Sequence, residues 1–230
     1  MVNHDAISAF HRLQARIRTA GGGAMRKPRP GALSRDDWIV GARKVLVRSG
    51  IAAVRIEPLA RRLKVTPGSF YWHFRGREDL YDALLDDWYR SNTAPLRQAV
   101  EKAGPDPARQ YWAFFGVWVL ELGFDPAYDR AVRDWGKTSR KVALRVQAVD
   151  ADVIALLAGI FERFGYRGLE ATMRARVTYY HQVGYYALGV KEEREGRLAL
   201  APYYAEILAG PGRMKKLTTV AEIRAAMLGR

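Results

Sequence analysis

Cysteine is absent from the 230-residue chain, and histidine occurs only four times. The lack of thiols excludes disulfide bridges, thiolate metal sites and cysteine nucleophiles. No two histidines have the i, i+4 spacing that places two zinc ligands on one face of a helix. We therefore expect neither a metal site nor a cofactor.

Long apolar runs and catalytic motifs are missing too. No window approaches the roughly 18 uninterrupted apolar residues of a membrane span, and the N-terminus lacks the basic-then-apolar layout of a secretory signal. Acidic residues and histidines do not cluster at a catalytic spacing, and no G-x-S-x-G motif occurs. The sequence predicts a cytoplasmic protein that is not an enzyme and does not span a membrane.

Basic charge is abundant and unevenly distributed. The chain has 38 Lys and Arg against 24 Asp and Glu, a net charge of +14, and 49% apolar residues are ample for a packed core. Ten basic and three acidic residues lie within 34–77, and six basic residues and one acid lie within 1–33. This concentration indicates a polyanionic partner, either nucleic acid or an acidic membrane surface.

The first 32 residues have the composition of an extension and linker. Three glycines at 21–23 precede the basic, proline-containing run at 26–30. We expect residues 1–32 to form a basic N-terminal extension. Met25 leaves a second interpretation open, in which residues 1–24 lie upstream of the natural start of the protein.

Start and stop signals then predict three short helices. Ser34 and Asp37 have the spacing of a capping box, which starts a helix at about 35 that ends at Gly50. A second helix is expected over about 56–63. Thr66 followed by Pro67 is a strong start signal for the third.

The third helix carries an unusual group of side chains. Phe70 and Phe74 are four residues apart and are expected to point into the core, which turns Tyr71, Trp72 and His73 outward. The alternative is that these three belong to the core.

Two short helices joined by about three residues, the second beginning with small residues, are typical of a DNA-binding helix-turn-helix. A helix approaches the duplex closely when its first residues are small, as they are at Thr66, Gly68 and Ser69. Pro67 and Tyr71 can pack on a thymine methyl group. Basic residues that can neutralise phosphates flank this surface: Arg55, Arg62, Lys64, Arg75 and Arg77.

The stretch LARRLKVTPGSFYWHFRGREDL, from Leu59 to Leu80, resembles the DNA-binding domain of the TetR family of transcriptional regulators. With the preceding helix, the resemblance covers roughly residues 33–85. It implies that Tyr71 contacts a phosphate or base, and that His73 and Arg77 contact the backbone of double-stranded operator DNA.

Two positions depart from the family pattern. Arg55 stands where the family usually has Thr, which keeps a phosphate contact plausible with different chemistry. Lys64 stands in the inter-helix turn where Gly is usual. If Lys64 adopts a positive φ, the strain is roughly 1 kcal/mol, offset by an added phosphate contact.

Residues 91–230 show helical periodicity without alternating strands. The resemblance implies that this region holds a ligand pocket and a homodimer interface. Trp112, Phe115 and Trp135 are candidates for an apolar pocket that takes an aromatic or lipophilic effector. His181 is a candidate hydrogen-bonding partner of a ligand, or an interface histidine.

A helix over about 169–190, paired with a final one around 220–228, is the candidate dimer interface. It carries more large side chains than one core face buries, and a pocket wall would explain the surplus equally well. The side chains expected to be exposed are Tyr179, Tyr180, His181, Tyr185 and Tyr186. Tyr185 is also a candidate effector contact.

Together these features predict an all-α chain with three parts. These are an extension (1–32), a TetR-type three-helix DNA-binding domain (33–78) and a larger helical effector-binding and dimerisation domain (79–230). The predicted function is that of a homodimeric repressor, released from a pseudo-palindromic operator by a small-molecule effector. The alternative is a nonspecific or architectural DNA-binding protein that uses the same helix-turn-helix and basic tail.

Overall fold

Ten α-helices form the fold of residues 33–230, the part of the chain that the computed structural model describes. The predicted extension, 1–32, lies outside the described residues. The helices are α1 (Arg35–Ser49), α2 (Ile56–Arg62), α3 (Arg77–Trp88), α4 (Ala94–Lys102), α5 (Pro107–Val119), α6 (Pro126–Gly136), α7 (Arg140–Arg163), α8 (Gly168–Ala187), α9 (Arg194–Ala209) and α10 (Val220–Met227). Two 3-10 helices (Ile51–Ala53 and Pro67–Trp72) and a π-helical turn (Tyr89–Thr93) complete the described secondary structure. The predicted all-α class is confirmed.

The first helix begins as the sequence predicts. The Ser34 hydroxyl accepts a hydrogen bond from the Asp37 amide at 3.2 Å, and the Asp37 carboxylate accepts one from the Ser34 amide at 2.8 Å. This reciprocal capping box satisfies two of the amides that a helix start leaves unpaired. The helix ends at Gly50, which has a φ of 74°. One face of α1 is buried, with Trp38 edge-on to Phe70 at a ring distance of 5.3 Å.

The C-terminal part is built around α5. Every residue from Gln110 to Val119 is buried. Helix α10 closes over α5 at Gly116, where an added Cβ would meet the Met227 carbonyl oxygen at 2.5 Å. Only glycine permits this close approach, because a methyl group there would displace the backbone of α10.

The N-terminal helices are joined to the larger part by packing and by polar contacts. The Arg43 guanidinium donates to Asp125 at 2.7 Å, and the Tyr128 hydroxyl donates to the Leu84 carbonyl at 2.7 Å. The buried apolar side chains of both parts form one continuous cluster. The predicted division at residue 78 therefore crosses a shared core, and it stays a proposal.

Residues 33–230 contain neither a membrane-spanning helix nor a metal-binding cluster. No helix there is long and apolar enough to cross a bilayer. No three metal-ligating side chains come together within the same range.

A pH effect is expected at the start of α10. The Glu222 carboxylate accepts hydrogen bonds from the backbone amides of Thr218 and Thr219, each at 3.0 Å, and these bonds lower the pKa of Glu222 from 4.5 to about 2. Because the folded state favours the ionised form, the stabilisation is complete above the ordinary carboxyl pKa and is lost as the pH falls toward 2. Glu222→Gln is expected to melt below the unsubstituted protein at neutral pH, with the two melting temperatures converging near pH 2.

Thermal melts across this pH range test the expectation. Glu101→Gln, an exposed carboxylate on α4, is the control and should show no such convergence. A constant difference between Glu222→Gln and the unsubstituted protein at all pH values would contradict it.

Candidate nucleic-acid interface

The short Pro67–Trp72 helix turns two large aromatic side chains to solvent. Phe70 and Phe74 are buried and stack on each other with a ring distance of 5.0 Å. Their burial directs Tyr71 and Trp72 outward, where they are 61% and 77% exposed. The alternative that these two side chains belong to the core is therefore wrong, whereas His73 is half-buried.

The start of this helix is small and open. Thr66, Pro67 and Gly68 are exposed, and the hydroxyl of half-buried Ser69 donates to the Thr66 carbonyl at 2.8 Å. The Thr66 side chain makes no capping hydrogen bond. Around Gly68 the space is free, since an added Cβ would have only the Thr66 hydroxyl near it, at 4.0 Å. An open stretch of backbone therefore precedes the two exposed aromatic side chains.

Positive charge surrounds this surface. The predicted phosphate-binding cations are all exposed, and none forms an ion pair with an acidic residue of the described part: Arg55, Arg62, Lys64, Arg75 and Arg77. Arg55 donates to the Ala52 carbonyl at 3.1 Å, and the Arg77 guanidinium lies 5.6 Å from the centre of the Tyr81 ring. These cations remain available to a polyanion.

Lys64 occupies the turn with a φ of 58°, in the left-handed region. Lys64→Gly is expected to stabilise the fold by about 1 kcal/mol, because glycine removes the steric strain. If the ammonium group binds a phosphate, the substitution also weakens DNA binding and reduces the slope of log affinity against log salt by about 0.9 for each subunit that contacts the DNA.

Chemical denaturation and binding titrations at several salt concentrations measure the two effects. Glu121→Gly is the control, because Glu121 is the other described non-glycine residue at positive φ and lies in the larger part of the chain. It should gain stability without a change in DNA binding. An unchanged affinity and salt slope for Lys64→Gly would exclude the phosphate contact.

Four of the five predicted effector residues come together. Trp112, Phe115, His181 and Tyr185 line one small cavity between α5, α8 and α9. Trp135 does not join them. It packs edge-on against Tyr81 at a ring distance of 5.2 Å, beside the junction with the N-terminal helices, so its assignment to this cavity is wrong.

Sequence reasoning missed two polar residues of the same cavity. The Tyr111 hydroxyl and the Gln182 amide nitrogen are buried there without a hydrogen-bond partner in the described structure, as is Nδ1 of His181. The tyrosine lies within an aromatic run that is typical of a core helix. Its lack of a partner is visible only once neighbouring helices are placed.

The predicted dimer helix is present as α8, but its surroundings differ from the prediction. The final helix, α10, buries Ile223 and Met227 in the core and so does not share an exposed apolar face with α8. Tyr179, expected to be exposed, is buried. Its hydroxyl donates to Asp150 and accepts from Arg133.

Exposed apolar side chains instead form one stripe on α8 and another on α9. We call the two stripes the α8–α9 face. Its residues are Leu169, Met173, Val177 and Tyr180 on α8, and Leu200, Tyr203 and Ile207 on α9.

The N-terminal geometry defines the chain as a helix-turn-helix protein. The model described as "Bacterial regulatory proteins, tetR family" matches residues 39–84. Residues 39–84 are thus similar to the DNA-binding domain of this family, as the motif predicts.

Two relatives show how far the likeness extends. The HTH-type transcriptional regulator TtgR of Pseudomonas putida is 28% identical over 74 residues, which are 32% of this chain and 35% of that protein. The match thus spans about a third of that relative's length. A crystal structure of a transcriptional regulator from Rhodococcus sp. Rha1 superposes with a TM-score of 0.57 and 19% identity, over 86% of this chain and 97% of that one. This second likeness shows a shared fold.

BioQ of Mycobacterium smegmatis is 22% identical, over 84% of this chain and 99% of that chain. Its TM-score of 0.34 is too low to carry an argument about this protein.

Proposed function

We propose that the protein is a sequence-specific, DNA-binding transcriptional regulator that acts as a homodimeric repressor. The observation that carries the proposal is the surface of the Pro67–Trp72 helix, where Tyr71 and Trp72 stand exposed beside an open backbone and unpaired cations. Small residues permit close approach to base edges, exposed rings give apolar contacts, and the cations bind phosphates. The proposed DNA contacts are those predicted from the sequence.

A homodimer fits both the DNA and the protein surface. Two copies of the Pro67–Trp72 helix, held about one helical turn of DNA apart, read a pseudo-palindromic site. The α8–α9 face is the proposed interface, because a two-fold axis can pair one such apolar patch with its copy. Burying its seven exposed side chains removes apolar surface from water on both subunits.

Release by a small molecule is the third part of the proposal. The polar atoms without partners in the cavity of Tyr111, His181 and Gln182 support a ligand there. A ligand that binds better to a dimer with its DNA-binding helices at the wrong spacing lowers operator affinity by that difference in binding free energy.

A gel-shift titration of the full chain against the DNA upstream of its own gene tests the proposed function. We expect a discrete complex that survives an excess of unrelated DNA at moderate salt. Affinity that is indifferent to sequence and falls steeply with salt would overturn the repressor proposal, and would favour a nonspecific DNA-binding protein.

The proposed interface has its own test. Val177→Glu places a charge in the middle of the α8 stripe, and we expect it to weaken the dimer by about 100-fold because an unpaired charge is buried on each subunit. Sedimentation measures the change. Leu144→Glu on α7, which is equally exposed but outside the α8–α9 face, should leave the dimer intact. A Val177→Glu protein that stays dimeric would place the interface elsewhere.

A further inference from the structure

The cavity between α5, α8 and α9 combines aromatic walls with polar atoms that lack partners. The rings of Tyr111 and Phe115 are 4.4 Å apart, and those of His181 and Tyr204 are 4.7 Å apart. All four side chains line the cavity together with Trp112. Flat ring walls of this kind favour a flat aromatic ligand.

The polar atoms of this inner cavity favour an uncharged polar group. Burial raises the pKa of the Tyr111 hydroxyl far above its ordinary value. Burial, and then the charge of Arg197, lower the pKa of His181. The tyrosine and histidine are therefore neutral at physiological pH, and Gln182 adds an amide donor. A ligand hydroxyl, which both donates and accepts, can pair with all three groups.

A larger outer cavity of about 390 Å³ adjoins the inner one. Val119, Tyr185, Glu192 and Arg197 line both cavities and so form a partition between them. The partition is held by three contacts, one of which is a hydrogen bond that the Arg197 guanidinium donates to the Tyr186 hydroxyl at 3.3 Å. The Arg197 guanidinium lies 4.2 Å from the centre of the Tyr185 ring, and the Tyr185 hydroxyl donates to Glu192 at 3.0 Å.

The outer cavity has an excess of positive charge. Three arginines and two glutamates line it. Arg194 pairs with Glu121 at 3.7 Å, whereas Arg130 and Arg197 form no ion pair with a described acidic residue. A guanidinium without a carboxylate partner is a ready site for the carboxylate of a ligand, which it binds through two parallel hydrogen bonds.

We propose that the two cavities together bind a hydroxylated aromatic carboxylate. Its ring and hydroxyl group occupy the inner cavity beside Tyr111 and Gln182, and its carboxylate lies against Arg197. This inference rests on the proposed function, because it names the chemical class of the effector, which is the molecule that releases the protein from DNA.

Binding requires the partition to move. The inner cavity holds about 30 Å³, which is enough for one or two water molecules and too little for an aromatic ring. Rotation of Tyr185 and Arg197 joins the inner cavity to the outer one. The ligand carboxylate then replaces the Tyr185 ring as the neighbour of the Arg197 guanidinium.

Calorimetry on the full chain without DNA tests the ligand class. The probes are 4-hydroxybenzoate and 4-hydroxycinnamate, with benzoate, which lacks the hydroxyl, and phenol, which lacks the carboxylate. We expect at least one hydroxylated acid to bind about tenfold more tightly than either fragment, which is the effect of one well-placed hydrogen bond or ion pair. If neither hydroxylated acid binds at about 1 mM, or if benzoate and phenol bind as tightly, the proposal is overturned.

Two variants locate the two ends of the ligand. Tyr111→Phe should weaken the hydroxylated acid about tenfold and leave benzoate unchanged, while Arg197→Met should weaken both acids and leave phenol unchanged. Thr178→Val is the control, because Thr178 carries another buried hydroxyl without a partner, on α8 but outside the cavity. Equal losses for all ligands in either variant would contradict the assigned orientation.

Two further observations separate failure of this inference from misfolding of a variant and from failure of the proposed repressor function. Arg197→Lys keeps the charge and should retain part of the affinity for the acids, with thermal melting as the check on folding. The calorimetry contains no DNA. Tight ligand binding in a protein that does not bind its operator would therefore leave this inference standing and overturn only the repressor function.

Discussion

Gly68→Glu is expected to abolish operator binding without destabilising the protein. The space around Gly68 is open, so the fold accepts a side chain there, and its surface position predicts a stability change within about 0.5 kcal/mol. On the proposed surface the same side chain places bulk and negative charge between the Pro67–Trp72 helix and the phosphates. We expect a loss of affinity of more than about 100-fold.

A second substitution separates the two causes. Gly68→Gln has nearly the same bulk without the charge, and we expect most of the loss to remain, because close approach is what the small residue allows. Gly196→Glu adds the same charge at an open position on α9 and should leave DNA binding unchanged. Binding titrations and thermal melts on the three variants measure both quantities. Operator affinity retained in Gly68→Glu would show that the DNA lies on another surface.

Arg133→Met is expected to cause the largest loss of stability. The Arg133 guanidinium donates to Asp129 at 2.7 Å, to Asp150 at 2.9 and 3.1 Å, and to the Tyr179 hydroxyl at 2.8 Å. Burial lowers the pKa of Arg133, but Asp129, Tyr179 and Asp150 outweigh this effect and hold the pKa above its ordinary value. Removing the cation leaves two carboxylates without a counter-ion in a largely buried site.

Breaking such a cluster from one side costs about 3–5 kcal/mol, which lowers the melting temperature of a domain of this size by roughly 10 °C. Denaturant unfolding and thermal melts measure the loss. Lys137→Met removes an exposed ion pair with Asp134 at the end of the same helix and should cost less than about 0.5 kcal/mol. If both substitutions cost the same, the Arg133 cluster does not stabilise the core.

The helix-turn-helix was predictable because its signals are local. The capping box of Ser34 and Asp37, the positive φ glycine at 50 and the Thr66-Pro67 start each depend on neighbours a few residues away. The outward direction of Tyr71 and Trp72 follows from the burial of Phe70 and Phe74, which helical spacing alone predicts. The family resemblance then gave these residues their proposed roles.

For the C-terminal part, the sequence predicted helices but not which side chains they bury. Tyr179 and Tyr180 are adjacent in an aromatic run, yet one is buried against Arg133 and the other is exposed on the α8–α9 face. Which of two neighbours faces inward depends on where α7 and α6 supply Asp150 and Arg133, and these lie far away in the sequence. The misplacement of Trp135 has the same origin, since its neighbour Tyr81 is more than fifty residues away along the chain.

The π-helical turn at Tyr89–Thr93 joins α3 to α4. A π-turn is equivalent to one extra residue within an α-helix, and here it places buried Asn92 where its side chain donates to the Asp125 carbonyl at 2.8 Å. Deleting one residue from this turn would remove the extra residue between α3 and α4, although Pro95 has no N–H and would still interrupt the helical hydrogen bonds. It would also rotate α3 by about 100° about its axis, the turn per residue of an α-helix. The buried face of α3 that carries Trp88 would then no longer meet Asp129. The irregular turn thus keeps Trp88 on the side of α3 that faces Asp129.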